Sequence, residues 1–232
     1  MQRGVKRGGK RGTGRSVAEN GTPHGRTAET RLLPFRFRGG EKAGRARLSP
    51  RLSPASRHRL RTWLESLPAA IAVRLPPLRI AAAGRLRTEQ GHAAHACCFI
   101  PQRYLLLEEA LFSRPGELGR ILCHELCHFL WPRLRAGRAV YESALLREYR
   151  SGSRGDLGYA SALARSRLLA GSAGRRDARW RHYACESFCD TGAFLLLRAA
   201  GYRRTRHSEW TLARRRRPAR LAAWHAAVTA GA

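Results

Sequence analysis

The chain is poor in acid, nearly devoid of lysine and methionine, and has no long apolar run. Its 232 residues hold 16 Asp or Glu against 45 Lys or Arg, for a formal net charge of +29. Lys6, Lys10 and Lys42 are the lysines, and every other basic residue is arginine. No stretch approaches the roughly 20 apolar residues that a membrane-spanning helix needs, which argues against an integral membrane protein. The first thirty residues contain no apolar block, so no secretory leader is expected. No C-x-x-C spacing occurs, which argues against a zinc ribbon or finger. No helix-turn-helix or other nucleic-acid module is legible.

What the chain has in plenty is Ala, Gly, Arg and Pro, the residues a GC-rich genome writes. Part of the positive charge is therefore compositional. A charge of +29 still attracts nucleic acid and anionic surfaces nonspecifically at low salt. The apolar share, 43%, is enough for one sizeable core.

Residues 1–53 are Arg- and Gly-rich with little to bury, and are expected to form a disordered basic arm. The folded domain is expected over 54–232. Leu60, Trp63, Leu64 and Leu67 fall on one face of a helix that Pro68 ends. Ile71–Leu75, Leu78–Ala83, His95–Ile100 and Tyr104–Leu111 read as strands of a small, mostly antiparallel sheet. Helices are expected over 115–131 (capped by Ser113), 138–149, 157–169, 177–200 (capped by Asp177) and 219–228. The fold class is α+β, with a small sheet followed by helices.

The sharpest motif is His124-Glu125-Leu126-Cys127-His128, set in the apolar frame Ile121–Trp131. On a helix, His124 and His128 share a face and both imidazoles can reach one zinc ion. Glu125 lies beside the first ligand, within reach of a metal-bound water. In a chain with 9 histidines the pattern arises by chance about 0.02 times. Burying two histidines and a glutamate without partners is costly, so an apolar helix carrying them has a use for them. The metzincin extension is excluded, because its Gly and His positions are Trp131 and Leu134.

A catalytic zinc needs a third protein ligand. Downstream candidates are Glu142, Glu148, Asp156, Asp177, His182, Glu186, Asp190, His207, Glu209 and His225. Glu186 stands out, with His182 and Glu142 behind it. Glu186 and Asp190 lie one turn apart within the apolar run Tyr183–Leu197. Asp190 could then accept a hydrogen bond from a ligand imidazole and fix its tautomer.

H-E-x-x-H followed by Glu186-x-x-x-Asp190 resembles the gluzincin group of zinc metallopeptidases, of which thermolysin is a member. The later motif is also similar to that of the HtpX-like membrane peptidases, without their membrane helices. The resemblance implies a soluble zincin-like domain over roughly residues 103–200. It implies zinc held by His124, His128 and Glu186, with Asp190 behind them. It further implies peptide-bond hydrolysis through a metal-bound water, with Glu125 as general base. Such enzymes use a Tyr or His to hold the developing oxyanion. Tyr183 is the favoured residue for that role, and His182, Tyr202 and His207 remain open. In zincins an edge strand borders the cleft, and 103–109 is the candidate, though it could equally be an interior strand. Alternatives are a nucleic-acid-associated protein similar to the SprT-like proteases, and a metal-binding domain without catalysis.

The six cysteines sit at 97, 98, 123, 127, 185 and 189. Four of them flank the motif residues. A helical neighbour points about 100° away, so these thiols are expected off the metal face, as small residues between packed helices. A redox lock between those helices is the sharper alternative. Reduced thiols and a cytoplasmic location follow if there is no leader.

Overall fold

The structure, a computed structural model, describes residues 41–43, 46–87, 91, 93–153, 155–202 and 217–230. The expected arm therefore lies mostly outside the described residues, as do His207, Glu209 and most of the basic stretch that begins at 203.

The chain is α+β, mainly helical, with one small mixed sheet. In order, it forms β1 (Glu41–Ala43), β2 (Ala46–Leu48), α1 (Pro54–Glu65), α2 (Ala69–Ala72), β3 (Leu78–Ala83), β4 (Leu86–Arg87), β5 (Ala93–Ala94), β6 (Ala96–Phe99) and β7 (Tyr104–Glu108). A 3-10 turn then leads into α3 (Pro115–Leu130), followed by α4 (Ala136–Arg150), α5 (Tyr159–Ser166), α6 (Ser172–Arg175), α7 (Ala178–Ala199) and α8 (Pro218–Thr229).

The expectation of a mostly antiparallel sheet is corrected. The strand order is β1-β2-β3-β7-β6, and β4 pairs separately with β5. The inner pairings β2–β3 and β3–β7 are parallel; only β1–β2 and β6–β7 are antiparallel in that sheet. Parallel neighbours need a crossover, and α1 with α2 supplies the one between β2 and β3. The boundary of the arm also moves. Ala46 and Leu48 on β2, and Leu52 after it, are buried in the core, so order begins before residue 53.

Ile71–Leu75 is not a strand. Pro68 opens the single turn α2, and Ile71 and Leu75 bury at helical spacing. Ser113 does not cap α3; its hydroxyl donates to the Ala110 carbonyl, and Pro115 opens the helix instead. Asp177 does cap α7, accepting from the Trp180 amide at 3.0 Å. The expected helix over 157–169 is shorter, because Gly158 is its N-cap and Arg167 its C-cap.

The motif helix α3 runs along α7, and both lie in the core with the inner face of the sheet. Gly192 permits that approach: a Cβ there would stand 2.4 Å from Cys127 Sγ. The helices are therefore close enough for side chains of one to reach the imidazoles of the other. Among the described residues no helix is long and apolar enough to cross a membrane.

Candidate metal centre

His124 and His128 sit on adjacent turns of α3, with Glu186 facing them from α7. His124 Nε2 lies 3.2 Å from His128 Nε2 and 3.3 Å from Glu186 Oε2. His128 Nε2 lies 3.8 Å from the same carboxylate oxygen. Three atoms with these separations share a point about 2.0 Å from each, close to the ~2.0–2.2 Å bonds zinc makes to imidazole nitrogen and carboxylate oxygen. Three lone pairs turned toward one point repel unless a proton or a cation sits among them. The donor set thus fits a divalent ion.

His124 Nδ1 donates to Asp190 Oδ1 at 2.9 Å, which leaves Nε2 with its lone pair. Asp190 is 4% exposed, so its charge must be met inside the protein. Its other oxygen accepts from the Ser161 amide at 2.9 Å and the Ser161 hydroxyl at 2.7 Å. Ser161 lies in the first turn of α5, where free backbone N–H groups favour an anion. Gly158 leaves room for the carboxylate: a Cβ there would be 2.2 Å from Asp190 Cγ.

With no cation among them, these groups exchange charge with one another. Burial opposes the charged form of His124, but hydrogen bonds to Asp190 and Glu186 outweigh it and push its pKa well above the usual imidazole value. Burial likewise opposes charge on His128, yet Glu186 and the Cys185 thiol raise it to about 9. Burial pushes the Glu186 carboxyl up, but His128 and then His124 draw it down to about 2. A cation at the shared point would take over the role of these protons.

Glu125 is half-buried and turns toward β6. Burial and then the Glu125 carboxylate push the Cys98 thiol well above its ordinary value, and that thiol donates to the Glu125 main-chain carbonyl at 3.4 Å. The edge strand beside the site is therefore β6. Strand 103–109, weighed for that place, forms β7 in the sheet interior, paired on both sides.

Tyr183 is a correction. Its side chain is fully buried and its hydroxyl donates to Asp156 Oδ1 at 3.2 Å. Asp156 in turn is held by Arg220 at 2.7 Å. A phenol committed to that buried network is not free to meet an oxyanion. Tyr202 stacks on Trp63 instead. His182 is half exposed and one turn from Glu186, with Nδ1 3.8 Å from Glu186 Oε1. The other candidate ligands lie elsewhere: Glu148 and Asp156 pair with Arg220, Asp177 caps α7, His225 is exposed on α8 and Glu142 is half-buried on α4.

The thiols lie closer to the imidazoles than helical geometry alone implied. His124, His128 and Cys189 each offer a donor atom within 4.8 Å of the other two, so Cys189 is a second possible third ligand. Cys189 is fully buried, and burial holds its thiol well above the ordinary value. The Glu186 oxygen lies 3.3 and 3.8 Å from the two Nε2 atoms, and the imidazoles hold its carboxyl well below the usual value. Cys185 Sγ stands 3.5 Å from His128 Nδ1. The close α3–α7 packing at Gly192 brings residues beside the metal face against the flanks of the rings. Ser161, Gly158 and Cys185 carried no local sequence signal for these roles.

No protein-family model matches the chain, and no curated protein or solved structure matches it either.

Proposed function

We propose that the chain is a zinc-dependent metallopeptidase of gluzincin type. The convergence of His124, His128 and Glu186, with Asp190 locking the first imidazole, is the observation that carries this reading. Zinc held there would acidify a bound water and polarise a peptide carbonyl. Glu125, next to His124 and facing β6, takes the proton from the attacking water and passes it to the leaving amine. Asp190 keeps His124 in the tautomer that frees Nε2. An extended peptide would lie along the edge strand β6. With Tyr183 engaged elsewhere, His182 is the best-placed side chain to donate to the developing oxyanion.

The test is zinc content together with hydrolysis of an unstructured protein. The wild type should bind one zinc and cleave; Glu125→Gln should keep the metal and lose cleavage. Equal activity in the two would overturn the mechanism.

A second reading rests on Cys189. A His124–His128–Cys189 set would also make a three-ligand centre, with sulfur in place of the carboxylate. Metal retained in full by Glu186→Ala and lost in Cys189→Ala would favour it.

A further inference from the structure

All six cysteines gather around the centre, and all are free thiols. Cys97 and Cys98 stand on β6 against Glu125, Cys123 and Cys127 flank the histidines on α3, and Cys185 and Cys189 lie on α7. Peptide hydrolysis as described above uses none of them. One thiol nevertheless meets a ring nitrogen of the site, Cys185 at His128 Nδ1.

The two imidazoles face the same requirement. A neutral ring that gives its Nε2 lone pair to a cation carries its proton on Nδ1, and that N–H needs an acceptor. His124 has a carboxylate for this purpose at 2.9 Å. Around His128, Nε2 turns toward His124 and Glu186, and Nδ1 faces sulfur at 3.5 Å. That separation is ordinary for a hydrogen bond to sulfur, whose acceptor strength is weak.

We propose that Cys185 is the positioning residue for His128: its sulfur accepts the Nδ1–H, fixes the tautomer and sets the ring angle. The proposal rests on the metal reading above and adds a residue to it. It makes the centre asymmetric. His124 is anchored by a carboxylate that is itself held by Ser161, and His128 by a soft sulfur. Neighbouring Cys189 hydrogen-bonds to Cys185, so the sulfur is itself oriented.

The experiment uses the full-length chain with zinc and cobalt(II) as probes. Zinc affinity is measured by chelator competition for wild type, Cys185→Ala and Cys185→Ser. Loss of an outer acceptor of this kind costs about 10–100-fold in metal affinity. Cys185→Ala should fall in that range, and Cys185→Ser should recover most of it, because a hydroxyl can also accept from Nδ1. The visible bands of the cobalt form should shift in Cys185→Ala as the ring turns, and return in Cys185→Ser. A loss of packing alone would leave those bands in place. Cys185→Ala that binds zinc as tightly as wild type, with unchanged cobalt bands, overturns the proposal. Should the alanine variant not fold, the wild type still decides. The histidine nitrogen–proton NMR spectrum of the zinc form should show the His128 proton on Nδ1, and a proton on Nε2 overturns the assignment. Wild type that binds no zinc overturns the metal reading itself, and this assignment with it.

Discussion

Asp190→Asn is the perturbation whose outcome the geometry fixes most tightly. Asp190 accepts from three donors: His124 Nδ1, the Ser161 amide and the Ser161 hydroxyl. An asparagine has one oxygen and one NH2 in that place. The Ser161 amide is a backbone donor and cannot turn, whereas its hydroxyl can rotate to accept. The asparagine oxygen must therefore face Ser161, and its NH2 must face His124. Two donors cannot share one hydrogen bond, so His124 switches its proton to Nε2. That proton then points at the place where the cation would sit. Zinc affinity should fall by about 10–100-fold, equivalent to about 1.4–2.8 kcal/mol. Folding stability should change less than in Asp190→Ala, which strands three buried donors and costs about 3 kcal/mol or more. Chelator competition reads the affinity, and equilibrium urea unfolding of the metal-free protein reads the stability. Asp190→Asn with wild-type zinc affinity would refute the tautomer argument.

Other outcomes follow from the same contacts. Gly158→Ala inserts a methyl 2.2 Å from Asp190 Cγ, so it should weaken zinc binding without touching a ligand, read by the same competition. Glu125→Gln should lower the rate of peptide cleavage by about 10²–10⁴-fold with zinc content unchanged. Arg220, 1% exposed between Glu148 and Asp156, holds one buried and one half-buried carboxylate; Arg220→Ala should cost about 3–5 kcal/mol in urea unfolding. Retention of the full chain on DNA should fall steeply as salt rises, as expected of a +29 chain that binds through charge alone. Retention that persists at high salt would argue for a specific nucleic-acid site.

The legible parts of the site were the local ones. His124 and His128 share a face through helix geometry alone, and the pairing of Glu186 with Asp190 follows the same spacing on α7. The caps behaved unevenly for a physical reason. Asp177 has a free amide to receive, whereas Ser113 lies in a 3-10 turn and spends its hydroxyl on Ala110. Illegible were the contacts between distant segments. Ser161 meets Asp190 across 29 residues and Cys185 meets His128 across 57, and neither leaves a periodic trace. Tyr183 misled because an aromatic beside a motif looks the same whether it faces the cleft or the core. Its partner, Asp156, is buried 27 residues upstream, and in the sequence it is one unremarkable acid among the downstream candidates. The parallel pairing of β2, β3 and β7 depends on crossovers, which strand-like runs do not announce. Ile71–Leu75 shows the ambiguity of short apolar runs, which fit one helical turn as well as a strand.

The most direct test of the central claim is X-ray absorption at the zinc edge on the loaded, full-length protein. Coordination by His124, His128 and Glu186 requires a shell of nitrogen and oxygen at about 2.0–2.2 Å with imidazole scattering from two rings. A sulfur scatterer at about 2.3 Å would hand the third position to Cys189 and contradict the account.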